Sequence, residues 1–215
     1  MSDSMKEKIF DFVYYEALKD ATLRNTCESK SRDMVLGETK VAKQIKEEVY
    51  NYIKTILNNE MDEDTCIETI RKVAKKTKTD APGFTFGNAQ KLVNMTAKYF
   101  FILTYEQEKK RKNFRHCHCP MDESMIEAVK GYHEELKELV KEKDSQCFEC
   151  FKYKKNIDKS WSTLTMSEED QEKYLNFQKW IKEISRLDSF VKKYGKGNCS
   201  LEIDFLLWKG GQLWL

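Results

Sequence analysis

The 215-residue chain is poor in the residues that break and turn a backbone, with two prolines and eight glycines. A protein of many short strands needs far more turn residues than this, so the scarcity argues against sandwiches and barrels. An excess of charge of one sign is also missing. Lys and Arg number 38 against 36 Asp and Glu, a formal net of +2. Binding to nucleic acid would therefore rest on local patches and not on the overall field. No apolar run reaches the roughly 20 residues that span a bilayer. The opening MSDSMKEKIFDF lacks the apolar stretch and cleavage site of a secretory signal. The expectation is a cytoplasmic protein with no membrane partner. A Walker-type phosphate loop, a Gly-x-Ser-x-Gly elbow and a His-Glu-x-x-His pair are all absent, and no cofactor is implied.

What is present favours helix. Apolar residues make up 40% of the chain, aromatics 12% and charged residues 34%, enough for a sizeable core under a densely charged surface. Lys, Glu, Leu and Met are good helix formers. Apolar residues recur at helical spacing over Lys6–Leu23, over Lys40–Leu57 (Val41, Ile45, Val49, Ile53, Ile56) and over Ser167–Leu187. Asp62–Lys78 opens with acids and closes with lysines, as a helix macrodipole prefers, with Asp64 or Thr65 as candidate caps. A further helix is expected over Asp122–Asp144, and Thr26–Lys40 reads as a polar connection. The expected architecture is all-α: a single compact multi-helix domain over residues 1–215, possibly with a short C-terminal strand. Trp208 and Trp214 of that tail are expected to dock on the body.

The segment GFTFGNAQKLVNMTAKYFFILTY, Gly83 to Tyr105, poses a problem. Leu92, Val93, Met95, Tyr99, Phe100, Ile102 and Leu103 cover most of a helix circumference, which marks a helix with neighbours on several sides. Lys91, Asn94 and Lys98 nevertheless share one stripe of it. An unpaired lysine is costly to bury. The stripe therefore faces solvent, a carboxylate or a cleft, and in a cleft a lysine can serve as an amine nucleophile or an anchor. Downstream, Asp122 follows Pro120 at the expected start of the next helix, where an ordinary N-cap aspartate also belongs.

A glycine-bracketed turn, a lysine-bearing helix and then a Pro-x-Asp opening another helix: this layout over residues 81–125 resembles the helix-hairpin-helix DNA glycosylases, in particular their 8-oxoguanine branch. The resemblance implies a DNA partner and a glycosylase or abasic-site lyase activity. It implies Lys91 as the nucleophile toward the sugar C1′ and Asp122 as its acid/base or electrostatic partner. It further implies DNA contacts from Gly83, Phe84, Gly87 and Asn88 of the turn, whose backbone amides would meet a phosphate, with Asn94 and Lys98 along the stripe. Lys98 competes with Lys91 for the nucleophile's role. The sequence departs from the family pattern in two places. Gly83 and Gly87 are separated by three residues where the family usually has one, and Lys91 lies further into its helix than the usual lysine.

Flipping a base needs aromatic surfaces to receive it. Phe84, Phe86, Tyr99, Trp161 and Trp180 are candidates, with core packing the alternative for each, and the basic run Lys109–Arg115 is a candidate phosphate grip or a solvated loop. Arg111 and His116 have the Arg-x4-His spacing that resembles the HEPN ribonucleases, which are also helical. A helical interaction module without catalysis is a third reading. Cys117, Cys119, Cys147 and Cys150 form a Cys-x-Cys and a Cys-x-x-Cys, a weak candidate zinc set or simply reduced thiols.

Overall fold

A computed structural model describes residues 3–23, 26–136, 138, 160–197 and 199–207. Among them the chain is all-α, with no strand. The α-helices are α1 (Asp3–Ala21), α2 (Ser29–Leu36), α3 (Lys40–Leu57), α4 (Thr65–Asp80), α5 (Phe86–Leu103), α6 (Glu108–Arg111), α7 (Glu123–Gly131), α8 (Glu168–Ile184), α9 (Asp188–Tyr194) and α10 (Ser200–Leu207). Two single-turn 3₁₀ helices occupy Lys112–Phe114 and Trp161–Thr163.

The segment Gly83–Tyr105 supplies the axis of the molecule. Every residue of α5 from Phe86 to Lys98 is buried, because α1, α3, α4 and the Trp161–Thr163 turn pack around it. α3 and α4 also pack on each other, while α7, α8 and α10 form a second group against one another. One continuous apolar core joins the two groups, running from Phe10 and Tyr14 of α1 through Leu92 and Val93 of α5 to Phe177 and Ile181 of α8.

Local sequence explains several boundaries. Thr39 caps α3 by accepting from the Ala42 amide. Thr85 and Asn88 form a reciprocal capping box at the start of α5. The acids before α4 do cap it, but through Asp62: its carboxylate accepts from the amides of Asp64 and Thr65. Neither Asp64 nor Thr65 is the capping side chain, because Asp64 at the cap position has αR backbone angles. α7 ends at Gly131, and after a turn at Tyr132 the chain is helical again over 133–136 and at 138, so the helix expected over Asp122–Asp144 is interrupted at one residue; residues 137 and 139–144 lie outside the described residues. Thr26–Lys40, expected as a connection, contains α2. The tail continues as α10 where a strand was also considered, and Trp208 and Trp214 lie outside the described residues. No helix among the described residues is long and apolar enough to cross a membrane.

Candidate active site between α5 and α7

The lysine stripe does not face solvent. Lys91 is 7% exposed, Asn94 is fully buried and Lys98 is 8% exposed. Each cation has a carboxylate. Lys91 Nζ lies 3.4 Å from Asp122 Oδ2, and Lys98 Nζ lies 2.7 Å from Asp204 Oδ2. This is the arrangement that desolvation demands, since a buried charge without a partner costs several kcal/mol.

Asp122 reaches Lys91 because it is the N-cap of α7. Its Oδ1 accepts from the Met125 amide at 3.1 Å, which fixes the rotamer and leaves Oδ2 for the amine. Asp122 is half-buried, with 24% of its side chain exposed, so this pair meets water from the carboxylate side. Beneath the amine lies the indole of Trp161, its centroid 4.6 Å from Lys91 Nζ, which is cation–π range. The site thus has an amine between an aromatic face and a carboxylate.

Lys98 and Asp204 sit deeper. Asp204 is 1% exposed. Burial raises its carboxyl pKa to about 6, against the opposing pull of the Lys98 charge and hydrogen bond, and the charge on Asp122 raises it further. Lys91 and Asp122 both act electrostatically on Asp204, so the two pairs form one charged cluster along the stripe.

Asn94, between the lysines, is the hub of a neutral network. Its amide donates to Tyr174 Oη at 2.8 Å, Gln90 Oε1 at 3.2 Å and the Cys119 carbonyl at 3.3 Å, and its Oδ1 accepts from Cys66 Sγ. Tyr174 Oη also meets His118 Nδ1 at 2.9 Å. Burial, aided by the Lys182 charge, holds the His118 pKa down to about 3, so this imidazole is neutral near pH 7. The expectation that Asn94 touches DNA meets an interior position instead.

The turn before α5 is likewise committed to the protein. The Gly83 amide donates to Ser31 Oγ, Phe84 to the Ala81 carbonyl, Thr85 to Asn88 Oδ1, Gly87 to the Leu164 carbonyl and Asn88 to Thr85 Oγ1. The Asn88 side chain donates to the carbonyls of Ala21 and Thr26, and Phe84 is 2% exposed. Of the amides expected to meet a phosphate, that of Gly87 thus holds the strap Ser160–Thr165, those of Phe84, Thr85 and Asn88 bond locally, and the Asn88 side chain holds the α1–α2 connection against α5. Gly87 is required for this. A Cβ there would lie 1.9 Å from the Trp161 carbonyl oxygen.

Of the candidate stackers, Phe84, Phe86, Trp161 and Trp180 are all buried core residues. Tyr99 donates to Asp20 Oδ2 at 2.5 Å. Trp161 alone among them borders the amine. Arg111 ends α6 and lies over the Tyr105 ring, whereas His116 follows the Lys112–Phe114 turn and accepts from Arg115 Nε. The ribonuclease-like reading calls for a helix extending through Arg111, whereas α6 is four residues long and ends there. Cys117 and Cys119 are buried with different neighbours: the Cys117 thiol faces Met61 Sδ, and the Cys119 thiol donates to the Pro120 carbonyl. Burial raises both thiols well above their usual pKa. Among the described residues no group of three His, Cys, Asp or Glu side chains could hold a metal ion; Cys147 and Cys150 lie outside them.

No protein-family model, curated protein or solved structure matches the chain.

The sequence did not point to Asp204, Trp161 as a lysine neighbour, Gln90 or Gln178. Asp204 had one available signal. A second lysine on a buried stripe requires a second acid, and Asp204 lies in the apolar run of the tail.

Proposed function

We propose that the chain is a DNA-binding protein of the helix-hairpin-helix glycosylase type, which excises a damaged base with Lys91 as nucleophile and Asp122 as its acid/base partner. What carries the reading is the 3.4 Å approach of Lys91 to Asp122, two residues whose roles the family resemblance assigns and which sit 31 positions apart in the sequence. Asp122 stands where it can accept a proton from the ammonium, freeing the amine. The amine then bonds to C1′ of a flipped nucleotide as the glycosidic C–N bond breaks and the base leaves with the bonding pair. Opening of the sugar converts the C1′ adduct to a Schiff base. Trp161 offers an apolar face beside the reacting carbon, as extrahelical nucleotides require. The exposed Lys109, Lys110 and Arg115 are the phosphate contacts in this reading, since the turn amides are occupied.

The test is borohydride trapping on oligonucleotides carrying 8-oxoguanine or an abasic site. The wild-type chain forms a covalent adduct, Lys91→Ala forms none, and Asp122→Asn forms it about 100-fold more slowly, at the lower end of what a general acid or base contributes. An adduct that survives Lys91→Ala moves the nucleophile to Lys98. No adduct with either oligonucleotide makes the Lys91–Asp122 pair a structural one and the protein an interaction module.

A further inference from the structure

The segment Cys117–Met121 enters the core as neither helix nor strand, and every residue of it is buried. Backbone N–H and C=O groups in such a place must find partners, and among the described residues there is no strand to supply them. Two glutamines do so. Gln178 of α8 accepts from the Cys119 amide at 2.9 Å and donates to the Cys119 carbonyl at 2.8 Å. Gln90 of α5 accepts from the Met121 amide at 3.0 Å and donates to the Met121 carbonyl at 2.7 Å. Each carboxamide offers one acceptor and one donor side by side, as a neighbouring strand would. Residue 120, between the two clamped residues, is proline and brings no further amide donor to satisfy.

The register matters more than the satisfaction. Gln90 immediately precedes Lys91, and Met121 immediately precedes Asp122. The pair of hydrogen bonds between the Gln90 side chain and the Met121 backbone therefore ties the turn of α5 that carries the amine to the backbone that carries the carboxylate. We propose that Gln90 is a positioning residue: its two-point clamp on Met121 sets the Lys91–Asp122 separation, with Gln178 steadying the same segment two residues earlier. Gln90 touches neither charged group. It acts through the position of Asp122. The inference rests on the amine–carboxylate reading of the site, which it deepens.

A loss of stability alone would not distinguish positioning from packing, because Gln90→Met leaves two buried backbone groups unpaired. The distinguishing measurement is the coupling between positions 91 and 122. Urea unfolding of Lys91→Met, Asp122→Asn and their double variant defines that coupling in the Gln90 chain. The same three changes in a Gln90→Met chain are expected to become additive. Unchanged coupling in the Gln90→Met chain overturns the proposal. Should Gln90→Met not fold, Gln90→Asn serves, since it keeps the carboxamide but retracts it by one methylene. Gln178→Met is expected to weaken the coupling less. In the trapping assay Gln90→Met slows adduct formation at least about tenfold, as displaced reacting groups do, and slows it no further in an Asp122→Asn chain. An additional slowing there also overturns the proposal. A wild-type chain that forms no adduct defeats the glycosylase reading, and the unfolding cycle then decides on Gln90 alone.

Discussion

Lys98 and Asp204 form the most deeply withdrawn ion pair among the described residues, 2.7 Å apart with side-chain exposures of 10% and 2%. Asp204 is the partner that makes a second buried lysine on α5 tolerable, and it comes from the last described helix. The pair fastens α10 to the axis of the fold through charge as well as through Leu201, Ile203 and Leu207.

The raised carboxyl of Asp204 has a consequence for stability. Its pKa stands at 3.8 in the ordinary state and about 6 in the fold. Protonated Asp204 is therefore favoured by folding, and its contribution is complete below pH 3.8 and lost as pH rises through about 6. Asp204→Asn, neutral at every pH, removes this slope. Between pH 4 and 7 the stability difference should move toward the variant by roughly 2 kcal/mol, most of the span that the raised carboxyl implies. Urea midpoints of both chains at the two pH values measure it. A difference independent of pH contradicts the assignment.

His118 works in the opposite sense. Its pKa falls from 6.5 to about 3 on folding, so the unfolded chain takes up the proton first. The stabilisation from neutral His118 is complete above pH 6.5 and declines as pH falls toward 3. At pH 4.5, two units under the unfolded value, the loss is about 3 kcal/mol. His118→Gln keeps a hydrogen-bonding group near Tyr174 and should flatten the acid limb of the stability profile. Thermal unfolding across pH 4 to 7 reads this directly.

Gly87 and Gly131 should respond oppositely to alanine. At position 87 the new methyl meets the Trp161 carbonyl, so α5 and the strap cannot both stay in place. A loss of about 3 kcal/mol or more is expected, with a change in tryptophan fluorescence as Trp161 leaves Lys91. At Gly131 a Cβ meets nothing within 4 Å, and alanine should be neutral or stabilising by up to about 1 kcal/mol. Equal effects at both positions would contradict the close approach at Gly87.

The parts of the fold that were legible in the sequence are those with strong periodicity. α3 occupies Lys40–Leu57, as its apolar repeat predicts. Ser167, where the periodic segment Ser167–Leu187 begins, caps α8 by accepting from the Asp170 amide. α2 was not legible because Ser29–Leu36 carries its apolar residues only at the end and has no periodic face. The expectation of an enclosed helix around Lys91 matches α5, whereas the partnering of Lys91 with Asp122 came from the family resemblance and not from periodicity or capping. The alternative of a solvated stripe did not hold, because carboxylates from two other elements close over the lysines. Partners such as Asp204 and Gln178 are unreadable from spacing, since they arrive from helices whose packing on α5 is a tertiary fact. The Gly87 amide looks free in the sequence for the same reason: the strap residue that occupies it, Leu164, lies some 75 residues downstream.

Because the turns of α5 from Phe86 to Lys98 are wrapped on all sides, they hold no vacant positions at which variation is cheap. Any retuning of the amine must come from the residues that approach it from outside, at Asp122, Trp161 or Asp204. Changes there, on three separate elements, would alter the surroundings of the amine while the rod that holds the lysines stays constant.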